Sequence, residues 1–204
     1  MAENKKTKKS LIAYVKDNLD SILKLFINHI GMMIFGLVVL ITSSLIASRL
    51  KNQAVFYVMG ALTLLMYFSL IYTAMWERGA KDKIKIDGGR MKKNILNGLW
   101  FYLLANALAV ITGVITLLLS FFVTEDASFI NNVYGVFRII AHYYNSMYLN
   151  ITTIDGMGAV LGSLMYVLVI LPGALVSFVS YVLGVKGFKC LFPEPKYDRN
   201  KKIR

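Results

Sequence analysis

The sequence predicts an all-α membrane protein, a four-transmembrane-helix bundle with two amphipathic interfacial helices, and three observations carry that prediction. Four stretches, Ile30 to Ser48, Ala54 to Trp76, Ile95 to Val123 and Met157 to Val185, contain no Asp, Glu, Lys, Arg or His. Each exceeds the roughly 18 residues that a helix needs to cross hydrocarbon. In lipid, hydrogen bonding within the segment must satisfy the backbone, so the stretches read as helices. Hydrophobic residues make up 57% of the 204, and every charge falls outside the four stretches. A single membrane domain follows, because no remaining segment is long enough for a separate aqueous core.

The charges set the orientation. Residues 1–29 hold six basic and three acidic groups, 49–53 two and none, 77–94 seven and three, 124–156 one and three, and 186–204 seven and two, which recovers the formal net charge of +12. Segments rich in Lys and Arg stay in the cytoplasm. Both termini and the 77–94 loop are therefore expected inside, with the 124–156 loop outside, in a multi-pass protein of the cell membrane. Arg49 and Lys51 run against the rule but are outweighed. The same basic face implies attraction to anionic lipid, at about 1 kcal/mol per Lys or Arg near the surface. No recognition helix or aromatic-interleaved basic motif accompanies it, so no nucleic-acid partner is expected.

Residues 1–9 are polar and aperiodic and read as a disordered basic tail. From Ser10, a plausible N-cap by type, Ile12, Val15, Leu19, Ile22 and Phe26 recur at spacings of three and four, opposite Lys16, Asp17, Asp20, Ser21 and Lys24. That pattern predicts a cytoplasmic interfacial helix over 10–28. The first span, 30–48, reads as a retained anchor because no clear cleavage site follows it. About five residues join it to the second span, 54–76, forcing an antiparallel hairpin. Trp76 and Trp100 mark one membrane interface, and Gly88 with Gly89 predicts a tight reversal between them. The third span, 95–123, is long enough to tilt or project. In the fourth, 157–185, Pro172 predicts a kink over Val169 to Pro172. Residues 186–204 form a second cytoplasmic basic tail.

Between the third and fourth spans, Ile130, Val133, Tyr134, Phe137, Ile140, Ala141, Tyr144, Met147 and Tyr148 form one helical stripe, and Asn131, Asn132, Gly135, Arg138, His142, Asn145 and Ser146 the other. The expectation is an outer interfacial helix over 128–149 capping the bundle, in preference to a re-entrant segment or a fifth crossing.

Residues from Trp76 to Asn106, with Trp76, Gly79, Asp82, Gly89, Arg90 and Gly98 at the matching positions, resemble a junction in small uncharacterised integral membrane proteins of Gram-positive bacteria. There a Gly-containing helix end, a basic loop with an Asp and a Gly-Arg step, and a Gly opening the next span recur. The resemblance implies a bacterial cytoplasmic membrane and a similar bundle, with no activity to carry over.

Candidate sites are few. Ala105, Ala109 and Gly113, and Gly158 with Gly162, repeat at four-residue spacing and predict close helix packing. Asn106, an amide deep in a span, is a candidate intramembrane polar site, with a hydrogen bond across to another helix favoured over a permeation path. Arg138 and His142 share a face at i, i+4 and form a candidate outer contact surface. No ionisable residue is expected inside the spans, which disfavours a proton-coupled transporter. One cysteine, Cys190, and two histidines, His29 and His142, on opposite expected sides, give no metal framework. No cofactor and no catalytic residue are predicted: Glu77, Arg78 and Asp82 inside, and Arg138, His142 and Asp155 outside, read as solvated helix faces. Asn150-Ile151-Thr152 matches a glycosylation sequon but reads as chance in a bacterium. The leading expectation is a non-enzymatic protein that contacts anionic membrane lipid and associates as a homo-oligomer or within a larger membrane complex. A small transporter or channel component comes second and a membrane enzyme third.

Overall fold

The apolar runs become helices that are longer than the charge-free stretches that predict them. A computed structural model describes residues 11–124, 128–152 and 158–188, and these are helical with short connections. Residues 1–9, Ser10, Asp155 and Cys190, and the tail from 189 onward, lie outside the described residues. The helices are α1 (Leu11–Asp17), α2 (Leu19–Leu50), α3 (Ala54–Asp87), α4 (Asn97–Ala105), α5 (Ala107–Ser120), α6 (Ser128–Tyr144), α7 (Leu149–Thr152), α8 (Ala159–Leu168) and α9 (Ile170–Lys186), with a 3-10 turn at Ser146–Tyr148. Three helices are long and apolar enough to cross a membrane: α2, α3 and the α8–α9 unit. A fourth is reached if α4 and α5, bent by 69°, count as one span. The protein is an integral membrane protein.

α2 and α3 form the expected antiparallel hairpin, turned by Lys51 in the left-handed region at φ 49°. One face of each is buried. On α2 it runs through Leu25, His29, Met32, Gly36, Val39, Ser43 and Ala47, and on α3 through Gly60, Thr63, Tyr67, Ile71, Met75, Gly79 and Asp82. The three-and-four spacing is the period of an α-helix with one packed face. α9 lies along the end of α3 that carries Glu77 to Asp87. Gly79 and Gly184 let their backbones touch: a Cβ on either would collide with main-chain atoms of the other helix. We call this the basic end, and the Leu50–Ala54 turn the far end. The pairing of α4 with α9 and of α5 with α8 completes the bundle.

Several expectations are corrected. The segment 10–28 is not one separate helix. Asn18 breaks it, its side-chain amide donating to the Tyr14 carbonyl at 2.8 Å, and from Leu19 the chain runs without interruption into the first span. The 77–87 part of the basic loop is helix, so α3 continues well past Trp76. Its reversal sits at the Gly88–Gly89 pair, with Gly89 at φ 69° and the Arg90 amide bonded to the Lys85 carbonyl at 2.9 Å. The third span is broken at Asn106. Within Val169 to Pro172, where a kink is expected, the helix is interrupted at Val169, between α8 and α9, which together count as one span. That placement agrees with a proline that lacks a donor and crowds the preceding turn.

The largest correction concerns 128–149. This segment does not lie across the far end of the bundle. α6 packs antiparallel along α5, and its last residue reaches deep beside α2, where the Tyr144 carbonyl lies 3.0 Å from His29 Nε2. The chain then turns and runs back toward the far end in the groove between α2 and α3. Ser146 Oγ donates to the Met33 carbonyl at 2.6 Å, and Asn150 Nδ2 donates to Ser43 Oγ at 3.0 Å and the Phe56 carbonyl at 2.9 Å. Gly36 and Gly60 make the groove deep enough: a Cβ on the first would strike the Met147 backbone and on the second the Asn150 side chain. Asn145 and Ser146, expected on the water-facing stripe, are buried here, whereas Val136, Ile139 and Tyr143 are exposed. The outer face of α6 thus mixes apolar Val136, Ile139 and Tyr143 with polar Asn132 and Arg138.

Candidate functional site

Two buried polar clusters and one open groove are the places where this fold concentrates chemistry. The first cluster sits at the basic end, where α1, α3, α4 and α9 meet. Asp82, with no exposed surface, accepts from Tyr181 Oη at 2.9 Å and from Arg78 Nε at 3.2 Å, both on Oδ2. Among the described residues its Oδ1 accepts no hydrogen bond, and it has Lys85 Nζ at 3.8 Å. Tyr181 Oη accepts from Asn97 Nδ2 at 3.2 Å, and Asn97 Oδ1 accepts from Tyr14 Oη at 3.1 Å and Asn94 Nδ2 at 3.0 Å. Arg78 also donates to Asn18 Oδ1 at 2.8 Å and lies over the Phe101 ring, 5.4 Å from its centroid. A buried carboxylate is tolerated only with such partners.

Glu77, Arg78 and Asp82 therefore do not share one solvated face. Asp82 is turned into the bundle, and Glu77 faces out with Lys24 at 2.6 Å and Lys81 at 2.8 Å. Those two ammonium groups, Lys24 first, hold the Glu77 carboxyl down at about 2. Of the residues carrying the resemblance, Gly79, Asp82 and Gly98 converge here. A Cβ on Gly98 would press on Tyr181 Cβ and on the Ser177 carbonyl.

The second cluster lies midway along α3 and contains the ionisable group that was not expected inside the bundle. His29 is 1% exposed. Its Nδ1 is 2.8 Å from Tyr67 Oη, and Tyr67 Oη is 3.2 Å from Tyr102 Oη. The Tyr144 carbonyl can only accept, so Nε2 carries a proton. In the neutral imidazole Nδ1 then accepts from Tyr67 and Tyr67 from Tyr102, which gives the chain of donors one direction. Tyr144 stacks on the His29 ring at 4.4 Å, and Tyr148 meets Tyr67 edge-on at 5.9 Å.

The expected site residues fare unevenly. Ala105, Ala109 and Gly113 are buried, and Gly113 faces the Tyr166 carbonyl of α8, so that stripe packs helix on helix. Among the described residues nothing lies within 4 Å of a Cβ added at Gly158 or Gly162, so none of them packs against that pair as Tyr166 does against Gly113. Asn106 is 1% exposed but does not bridge to another helix. Its Nδ2 returns to the Tyr102 carbonyl of its own helix at 3.0 Å, its Oδ1 accepts no hydrogen bond from the described residues, and it stands at the 69° break between α4 and α5. An asparagine bonding its own backbone competes with the helical ladder, which accounts for its place at the break. His142 is half-buried, its Nδ1 3.1 Å from Tyr166 Oη, and Arg138 lies beside the same hydroxyl while remaining exposed. Burial, and then the Arg138 guanidinium, hold His142 below the usual imidazole range. Among the described residues no group of His, Cys, Asp and Glu could hold a metal ion.

The groove, a cavity of about 610 Å³, opens between α4 and α9 and is lined by Leu96 and Leu99 on one side and by Leu171, Pro172, Leu175 and Phe178 on the other. A smaller polar recess of about 190 Å³ lies between α2 and α3, among Ser21, Lys24, Glu77, Arg78 and Lys81.

The missed residues were within reach of the sequence. His29 falls on the same three-and-four register as Leu25, Met32 and Gly36, and Asp82 on that of Ile71, Met75 and Gly79. The groove gave no such signal, because it depends on how α4 and α9 diverge. The chain matches no protein-family model, no curated protein and no solved structure.

Proposed function

We propose that this chain is a non-enzymatic subunit of a bacterial cytoplasmic membrane that works by lateral contact, with lipid and with other membrane proteins, its basic end facing the cytoplasm. The observation that carries the reading is the division of its polar groups. Asp82, Arg78, Tyr181 and Asn97 hold one another, as do His29, Tyr67 and Tyr102, so these groups serve helix packing. What remains facing outward along the helices is mainly apolar, including Ile34, Val58, Leu65, Ile111, Ile139 and Leu171, and the exposed Thr42, Ser69 and Thr73 hydroxyls donate back to carbonyls of their own helices. A photo-crosslinking residue placed at Val58, Ile139 or Leu171 in native membranes should give adducts with lipid, and with a discrete protein partner at one of these faces. A chain that yields none, and whose thermal stability ignores the surrounding lipid, overturns the reading.

A second reading, a small transporter or channel component, is favoured by two features. His29 is an ionisable group inside the bundle, and the α4–α5 unit is a broken helix; both recur where membrane proteins move ions or protons. Its test is protein-dependent proton flux in liposomes. Flux that disappears in His29→Asn would replace the first reading.

A further inference from the structure

We infer that the α4–α9 groove is a binding site for one anionic phospholipid, an acyl chain lying between the helices and the headgroup held by Lys92, Lys93 and Lys186. The groove is apolar along its length and open to the side, the shape that suits a hydrocarbon chain entering from the bilayer. Its direction is fixed by the helices. Leu171 to Phe178 on α9 spans about 10 Å of helix, and the chain then continues toward the basic end.

The charge at that end is what distinguishes this groove from ordinary lipid-facing surface. Lys186 follows Leu175 by eleven residues on α9, so at 100° per residue it returns to within about 20° of the same face, roughly 16 Å nearer the basic end. On the α4 side, Lys92 and Lys93 stand just before Leu96, in the stretch that leads into the helix. All three lysines are exposed, and among the described residues none of them makes an ion pair. By contrast, Lys24 and Lys81 at the neighbouring α2–α3 recess are both engaged by Glu77. Unpaired cations on both walls at the polar mouth of an apolar groove complement a headgroup phosphate that carries net negative charge.

The inference rests on the lipid-contact reading but can fail without it. Full-length protein in detergent is equilibrated with equal amounts of phosphatidylglycerol and phosphatidylcholine, and retained lipid is counted by native mass spectrometry. One phosphatidylglycerol should be kept per chain, at least tenfold in preference to phosphatidylcholine. Each Lys→Ala change at Lys92, Lys93 or Lys186 should weaken retention about fivefold. Leu175→Trp, which fills the groove with the lysines intact, should abolish it, whereas Leu62→Trp, on an exposed face of α3, should not. Equal retention of the two lipids, or retention indifferent to Leu175→Trp, overturns the site. A second copy of the chain bound in place of lipid, and lost in Leu175→Trp, also overturns it. If headgroup preference is absent but lipid still raises thermal stability, the site is wrong and the broader reading stands; if lipid has no effect on stability, both fail.

Discussion

Tyr181→Phe tests whether the basic-end cluster holds the bundle together. The substitution keeps the ring, which packs edge-on against Phe101 with centroids 6.0 Å apart, and removes only the hydroxyl. Two bonds go with it: the donation to Asp82 at 2.9 Å and the acceptance from Asn97 at 3.2 Å. The first is the costly loss. Asp82 has no exposed surface and its Oδ1 already lacks a hydrogen bond, so the carboxylate would keep only Arg78 and the more distant Lys85. A hydrogen bond to a charged group is worth about 1.5–3 kcal/mol. Taking about 2 kcal/mol, the unfolding midpoint of a chain this size should fall by roughly 4–8 °C. Trp fluorescence on heating is the assay, and Trp76 is well placed to report, since its indole donates to the Phe188 carbonyl at 2.6 Å across the α3–α9 contact. Asp82→Asn added to Tyr181→Phe should recover part of the loss, because the buried charge is what the hydroxyl serves. A shift below about 1 °C for Tyr181→Phe, or no recovery in the double variant, would refute the argument.

Further outcomes follow from the same geometry. Gly79→Leu and Gly184→Leu should each separate α3 from α9 and cost more than about 3 kcal/mol, while Gly158→Leu and Gly162→Leu, which meet none of the described residues, should leave the melting curve within experimental error. Acid should act on Glu77 through its depressed pKa: the stabilisation from Lys24 and Lys81 is complete above the unfolded value near 4.5 and is lost as pH falls toward about 2. Glu77→Gln should flatten that part of the stability profile, modestly, since the pair is largely exposed. His142, held low by burial, favours its neutral form, so its contribution is present above about pH 6.5 and declines below it; His142→Gln should remove that slope. On a Cys190→Ser background, cysteine at exposed Asn132 should react with an impermeant reagent from outside intact cells and cysteine at Lys85 should not, and the reverse pattern would invert the orientation.

The fold class, the α2–α3 hairpin and the helix interruption just ahead of Pro172 were legible because each rests on local chemistry: charge-free length, a short connection, a missing donor. The Asn106 break was not, since asparagine in a span is ordinarily read as a hydrogen bond to a neighbour, and only the tertiary setting reveals that it turns back on Tyr102. The path of 128–152 was hidden for a related reason. An apolar stripe on one face and asparagines on the other describe an interfacial helix equally well as one whose asparagines are absorbed by another helix pair. Asn150 bonds Ser43 and Phe56 only because Gly60 gives it room.

Marking a span by its charge-free run also misplaced the titratable groups. The run 30–48 begins one residue after His29 and 54–76 ends one before Glu77, so both boundaries fall at an ionisable residue by construction. Helices do not end there: α2 starts at Leu19 and α3 continues to Asp87. What decides whether a charge near a boundary meets water is the face it occupies. Glu77 and Asp82 are five residues apart on one helix, about 500° around it, so they point in clearly different directions, and one is ion-paired outside while the other is sealed inside. His29 follows the same rule on α2, four residues beyond Leu25 and seven before Gly36, on the face that receives the Tyr144 turn. His29→Leu keeps the burial but leaves the Tyr144 carbonyl and the Tyr67 hydroxyl without their shared partner, and should therefore unseat the 144–150 turn more than it disturbs α2 against α3. Faster amide exchange confined to 144–150 is the expected result; exchange that rises equally along α2 and α3 would mean that His29 holds the hairpin itself.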